Sequence, residues 1–182
     1  MPEDRVLPTA GAVSQDTLAA VALGSNLPSR FGDPAATVEE AIRRVGELGR
    51  LASRSRLRRT APVGYLDQPL FTNAALLLET TLNPHDLMRA LLRIEQEMGR
   101  RREGTPAKGP RIIDLDLLLF GNLVLESDLL TLPHPALAER LFVLEPLAEI
   151  APGIVHPVLR RTAAELLLAL EGRSSGFQPP LR

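Results

Sequence analysis

Residues 112–120, IIDLDLLLF, constrain the fold more than any other stretch. Read as a strand, whose side chains alternate between faces, the run puts Ile112, Asp114, Asp116 and Leu118 on one side and Ile113, Leu115, Leu117 and Leu119 on the other. The second side is wholly apolar and must be covered by helices. The first brings two carboxylates side by side. Immediately upstream stand Arg100, Arg101, Arg102, Lys108 and Arg111, five cations against the single Glu103, in a stretch punctuated by Gly104, Pro106, Gly109 and Pro110. Asp-x-Asp on a strand arises by chance and an arginine run is commonly a solvated face, so it is their adjacency that carries meaning. Paired carboxylates can hold a hard divalent cation, and arginines grip phosphate oxygens bidentately. Together they are equipment for binding a nucleoside triphosphate and moving phosphorus.

The remaining segments predict what surrounds this strand. Residues 17–23 are small and apolar and end in Gly24-Ser25-Asn26, a buried strand entering a turn, with the glycine signalling close backbone approach. Asp33-Pro34 supply an N-cap and an N1 proline, and Ala35, Val38, Ile42, Val45 and Leu48 recur at helical spacing until Gly49. Residues 50–59 alternate as one strand, with Arg54, Arg56 and Arg58 on its wet side. The Pro- and Gly-rich residues 60–69 form a loop, and 71–80 the next strand, on which Phe71, Asn73, Ala75 and Leu77 share a face. Asn83-Pro84 repeats the capping signal, and Leu87, Leu91, Ile94 and Met98 stripe a second helix that stops at Gly99, with Glu95 bordering the stripe. Gly121-Asn122 predict a tight turn into 123–126 as a small hairpin, followed by an extended 132–135 and short helices over 136–150 and 162–170.

This order defines an α+β fold, a ferredoxin-like βαββαβ sandwich with a C-terminal hairpin and short helices. If the strands pair as that fold requires, Asp114, Asp116, Phe71 and Asn73 meet on the face opposite the two helices. A length of 182 residues suits one domain, 17–171, between a flexible tail at 1–16 and a frayed tail at 172–182. The net charge of −1 argues against general nucleic-acid binding, although local basic patches still suit a small polyanion. With no cysteine there are no disulfides, thiolate zinc sites or Cys nucleophile. The first residues lack the pattern of a signal peptide and no apolar run is long enough to cross a bilayer, so the expectation is a cytoplasmic monomer that binds neither nucleic acid nor membrane.

The chain resembles the 6-hydroxymethyl-7,8-dihydropterin pyrophosphokinase family of folate biosynthesis over about residues 19–170. The resemblance rests on Leu23-Gly24-Ser25-Asn26, Thr60-x-Pro62-x-Gly64, Phe71-x-Asn73-Ala74, Arg93-Ile94-Glu95 with Gly99-Arg100, Gly109-Pro110-Arg111 leading into Asp114-Leu115-Asp116, Pro133-His134 and Arg140-x-Phe142. It implies that Asp114 and Asp116 hold magnesium, two ions with ATP, and that Arg100 and Arg111 act with them in catalysis. It further assigns Glu95, Arg100, Arg102, Arg111, Thr131, His134 and Arg140 to ATP, and Thr60, Val63, Gly64, Phe71, Asn73 and Phe142 to the pterin, which the two Phe rings would sandwich. The implied reaction passes the pyrophosphoryl group of MgATP to the pterin hydroxymethyl group and releases AMP. Lys108 replaces an aromatic found in some members, the basic loop is one residue longer than in some of them, and Leu129 stands where a member has a basic residue. From the residues alone, a phosphohydrolase or nucleotidyl transferase with another acceptor, or a binding module for RNA or a regulatory ligand, would use the same features.

Overall fold

The computed structural model describes residues 16–100 and 109–175. The expectations for residues 1–15 and 176–182, and for Arg102 and Lys108 of the basic loop, lie outside those limits. Strand β1 (Thr17–Ser25) leads to α1 (Pro34–Val45), β2 (Arg50–Arg54), β3 (Arg58–Thr60), β4 (Phe71–Thr80), α2 (Pro84–Glu97) and β5 (Asp114–Phe120). The sheet order is β2-β4-β1-β5, with β3 also pairing β4, and every pairing is antiparallel. Taking β2 and β3 as one interrupted strand, this is the ferredoxin-like arrangement expected from the sequence. Both helices start where their caps require. Asp33 and Asn83 accept the backbone N–H groups of Ala36 and Asp86, with Pro34 and Pro84 opening the first turns.

One sheet face packs on α1 and α2 through residues such as Val21, Leu76, Leu115, Val38 and Leu91. The opposite face is not left bare along its length. After β5 come β6 (Leu125–Glu126), β7 (Thr131–Leu132), α3 (Leu141–Ile150), β8 (Val155–His156), β9 (Arg161–Thr162) and α4 (Ala163–Ser175). Val143, Leu144 and Leu147 of α3 and Leu166 of α4 cover Ala20, Ala75 and Leu77 at one end of that face. The end bearing Asp114 and Asp116 stays open as a cleft. No helix among the described residues is long and apolar enough to cross a membrane.

Four expectations are corrected. The run 50–59 is two strands, because Ser55 takes over the ladder with Ala75: its N–H donates to the Ala75 carbonyl at 2.9 Å, and its hydroxyl accepts the Ala75 N–H at 3.0 Å. The break sends the arginines to opposite sides instead of one wet face. Arg54 pairs with Glu39 of α1, while Arg56 and Arg58 hold Glu149 of α3. In β5 the register shifts between Ala20 and Val21 of its partner strand, so Leu119 joins Leu118 on the α3 side and Phe120 turns to the α1–α2 side. A bulge of this kind reverses every later side chain. The hairpin forms between β6 and β7 rather than at Gly121-Asn122. Finally, α4 runs to Ser175, past the expected fraying point at Gly172. A Cβ there would meet nothing, and one helical glycine costs only about 1 kcal/mol.

Candidate functional site

Strand register assembles the cleft floor. Gly24 lies opposite Asn73 on one side and Asp114 on the other, and Ala22 likewise lies between Ala75 and Asp116. Asn73, Gly24 and Asp114 thus form one row across three strands, with Asp116 in the next. The middle of that row has to be bare: a Cβ on Gly24 would come within 2.8 Å of Asn73 Oδ1. The amide is oriented by its neighbour, since Asn73 Nδ2 donates to Thr60 Oγ1 at 2.7 Å. Thr60 is placed by β3, which pairs it with Phe71.

Walls rise on both sides of this floor. Thr60 comes from the end of β3, Ala61 and Val63 from the β3–β4 connection, Phe71 from the start of β4, and Arg140, Phe142 and Val143 from the approach to α3 and its first turn. The two aromatics therefore line one cavity, to which Asn73, two residues after Phe71 on β4, also contributes. Each carries a guanidinium nearby, Arg111 at 5.7 Å from the Phe71 ring centre and Arg140 at 5.7 Å from that of Phe142. α3 is fastened to the sheet edge by Glu149, which accepts from Arg56 N–H at 3.0 Å and Arg58 Nη2 at 2.8 Å. Those bonds hold the Glu149 carboxyl down at about 2.

The acidic end is an ion cluster. Arg111 Nη1 donates to Asp114 Oδ2 at 2.6 Å, and Arg100 Nη1 donates to both Asp114 Oδ1 and Glu95 Oε1. Burial works against the Arg100 charge, but Asp114 and Glu95 outweigh it and its pKa is raised. Glu95, only 2 % exposed, also accepts the Leu115 N–H at 2.7 Å. That carboxylate points inward and ties α2 to β5, which bordering a helical stripe does not reveal. Asp116 is less engaged. His134 Nε2 and Arg140 Nη1 stand 3.9 and 4.0 Å from its oxygens. Burial first, and the Asp114 charge second, raise its pKa above the ordinary aspartate range. His134 accepts the Ala136 N–H on Nδ1, leaving Nε2 to carry the proton towards Asp116, and its own burial lowers its pKa.

Most residues singled out from sequence meet here: Thr60, Val63, Phe71, Asn73, Arg111, Asp114, Asp116, Arg140 and Phe142 line the cleft, with Glu95, Arg100 and His134 one contact behind. Thr131 is exposed on β7, and Gly64, at φ +90°, shapes the loop without lining the cleft. Ala22, Leu23, Ala61 and Val143 also line the cleft without a site role expected from sequence, whereas Gly24 was expected there only as a point of close backbone approach. Ala22 and Gly24 were within reach of the two-residue period once β1 is paired with β5. A magnesium ion fits this donor set. It keeps several waters and takes one or two carboxylates plus substrate phosphates rather than an all-protein cage. Among the described residues there is no cluster of three ligating side chains.

The open end of this antiparallel α+β sandwich thus joins an acidic pair, one member of it held by two arginines, to an aromatic- and amide-lined cleft, a lining whose chemistry suits a polyanion beside a flat ligand. Residues 20–152 match the family model described as 7,8-dihydro-6-hydroxymethylpterin-pyrophosphokinase, and the chain belongs to that family. It is 43% identical over 141 residues to a 2-amino-4-hydroxy-6-hydroxymethyldihydropteridine pyrophosphokinase of Methylorubrum extorquens, covering 76% of this chain and 85% of that one. It is 40% identical over 154 residues to a folic acid synthesis protein of Schizosaccharomyces pombe, of which it spans only 20% of the length while 85% of this chain is matched. A crystal structure of Plasmodium falciparum HPPK-DHPS with pteroate shares the fold, with a TM-score of 0.69 at 16% identity, covering 92% of this chain and 45% of that one.

Proposed function

We propose that this chain transfers the pyrophosphoryl group of MgATP to 6-hydroxymethyl-7,8-dihydropterin. The hydroxymethyl oxygen bonds to the β-phosphorus, the bond from that phosphorus to the α-phosphate oxygen breaks, AMP leaves and the hydroxyl proton is released. The observation that carries this reading is the row Asn73, Gly24, Asp114, which sets an edge-reading amide and the acidic pair in one cleft floor. Phe71 and Phe142 stack on the pterin faces, and Asn73, with Thr60 behind it, pairs with the ring edge. Val63 closes that side, on a loop whose turn Gly64 shapes for the pterin. Arg100 and Arg111 exchange Asp114 for phosphate oxygens, and Glu95, Arg102, Thr131, His134 and Arg140 serve the nucleotide side. Asp114 and Asp116 would hold Mg2+, two ions with ATP, which when bound supplies charge neutralisation to the phosphates. What remains for the protein is positioning and a preorganised electrostatic field. The reading extends to a monomer working in the cytoplasm without nucleic-acid or membrane partners.

Incubation with MgATP and the pterin should yield AMP and the pterin diphosphate. ADP or pterin-independent hydrolysis as the main outcome would sink this function in favour of another phosphorus-transfer reaction. Phe142→Ala should weaken pterin binding by about 1–3 kcal/mol, as for bases stacked on aromatics. Its affinity for a non-hydrolysable ATP analogue should stay near the wild-type value. A parallel loss of analogue binding in calorimetric titrations would make Phe142 a core residue instead.

A further inference from the structure

Asn26 follows β1 and does not line the cleft, yet it is 1 % exposed and its polar atoms reach both sides of the site. Its Oδ1 accepts the Arg111 N–H at 2.8 Å, and its own N–H donates to the Arg111 carbonyl at 3.1 Å. The same amide donates from Nδ2 to Gln68 Oε1 at 3.0 Å and to the Pro69 carbonyl at 3.1 Å. Gln68 passes the connection on, donating from Nε2 to the Tyr65 carbonyl at 2.6 Å.

We propose that Asn26 is a positioning residue that couples the pterin side of the site to its phosphate side, by tying the 61–70 loop to the backbone of Arg111. The inference rests on the proposed pterin and ATP sites. Loop 61–70 supplies Ala61 and Val63 to the cleft and leads directly into Phe71. Its apolar side chains Val63, Tyr65, Leu66 and Leu70 are exposed, so polar ties weigh heavily in fixing its shape. Arg111 sits on Asp114 and over the Phe71 ring. When a triphosphate draws Arg111 from Asp114, a backbone adjustment reaches the loop through a buried amide whose two donors and one acceptor are all engaged. Coupling requires that each ligand favour the same arrangement of that shared element.

Asn26→Asp separates the two halves of the device. It keeps an acceptor for the Arg111 N–H but turns a carboxylate oxygen towards Gln68 Oε1 and the Pro69 carbonyl. Gln68→Ala removes the side-chain part of that tie from the loop side, together with its link to Tyr65, and leaves the bond to the Pro69 carbonyl. Pterin is titrated into each protein calorimetrically, with and without Mg2+ and a non-hydrolysable ATP analogue. Wild type should bind pterin about tenfold or more tighter with the analogue, and both variants should retain less than about threefold of this effect, with analogue affinity itself within about threefold of wild type. A merely structural Asn26 would weaken both ligands together and leave the ratio unchanged, which overturns the proposal. So does a wild-type ratio in either folded variant; should Asn26→Asp fail to fold, Gln68→Ala decides alone. Wild-type protein that forms AMP but shows no such ratio overturns the coupling only. Wild-type protein that neither binds pterin nor forms AMP overturns the proposed function as well.

Discussion

Asp116→Asn is expected to slow AMP formation by about 10³-fold, the scale of losing one group that stabilises charge in the transition state, while raising the melting temperature of the ligand-free protein. The two effects have one origin. Burial and the neighbouring Asp114 charge raise the folded-state pKa of Asp116, so the folded protein holds this proton more tightly than the unfolded chain. Below the unfolded value, about 3.9, the carboxyl is protonated in both states and carries no penalty. As pH rises through that value the penalty develops, and it is complete above the raised folded value. Near neutrality the neutral amide removes it, and each kcal/mol regained lifts Tm by about 2–4 °C in a chain of this size. Towards pH 3 the gap between variant and wild type should close. Asp114→Asn should lose turnover equally but melt lower, because Arg100 and Arg111 both rely on that carboxylate. Calorimetric scans from pH 3 to 7 with an AMP assay test the pair. Turnover within tenfold of wild type in either variant would remove the metal-binding role.

The contrast between these two aspartates was not visible in the sequence, though their adjacency was. Period-two alternation placed both on one face and Phe71 with Asn73 beside them, because strand parity is local and survives as long as the ladder is regular. Where the ladder breaks, local parity misleads. The register shift opposite Ala20 and Val21 turned Leu119 and Phe120 over, and Ser55 divided a run whose arginines look equivalent in the sequence. Contacts between distant segments were out of reach for another reason. Asn26 meets Gln68, Pro69 and Arg111 at separations of 42, 43 and 85 residues, so only its place in a family motif marked it out. Glu95 was ambiguous at the edge of a helical stripe because its orientation depends on the Leu115 N–H of a strand 20 residues away. The starts of α1 and α2 were legible, since Asp33-Pro34 and Asn83-Pro84 act within one turn, whereas the helix expected from 136 begins only at Leu141, after a separate 3-10 turn over Leu137–Glu139.

Arg111→Ala should lose turnover on the order of 10³-fold, comparable with removing an arginine that stabilises transferring phosphate, yet cost little stability. Without substrates its guanidinium has Asp114 at 2.6 Å and the Gly109 carbonyl at 3.2 Å, and Asp114 keeps Arg100 when Arg111 is truncated. Arg100 occupies a different position in the same cluster. It serves Glu95 and Asp114 at once from a largely buried setting, so Arg100→Ala takes a cation from two carboxylates, one of them in the core. Removing a partner from a buried ion pair is much costlier than removing one from a partly wet pair. Arg100→Ala should therefore lose turnover to a similar extent and also melt clearly below Arg111→Ala. Lysine at position 111 should recover only part of the rate, because a point charge lacks the planar fork that grips two oxygens. Single-turnover AMP formation, run beside thermal melts of the three variants, separates the roles. Wild-type rates in Arg111→Ala would mean that its contact with Asp114 organises the empty site and takes no part in handling phosphate.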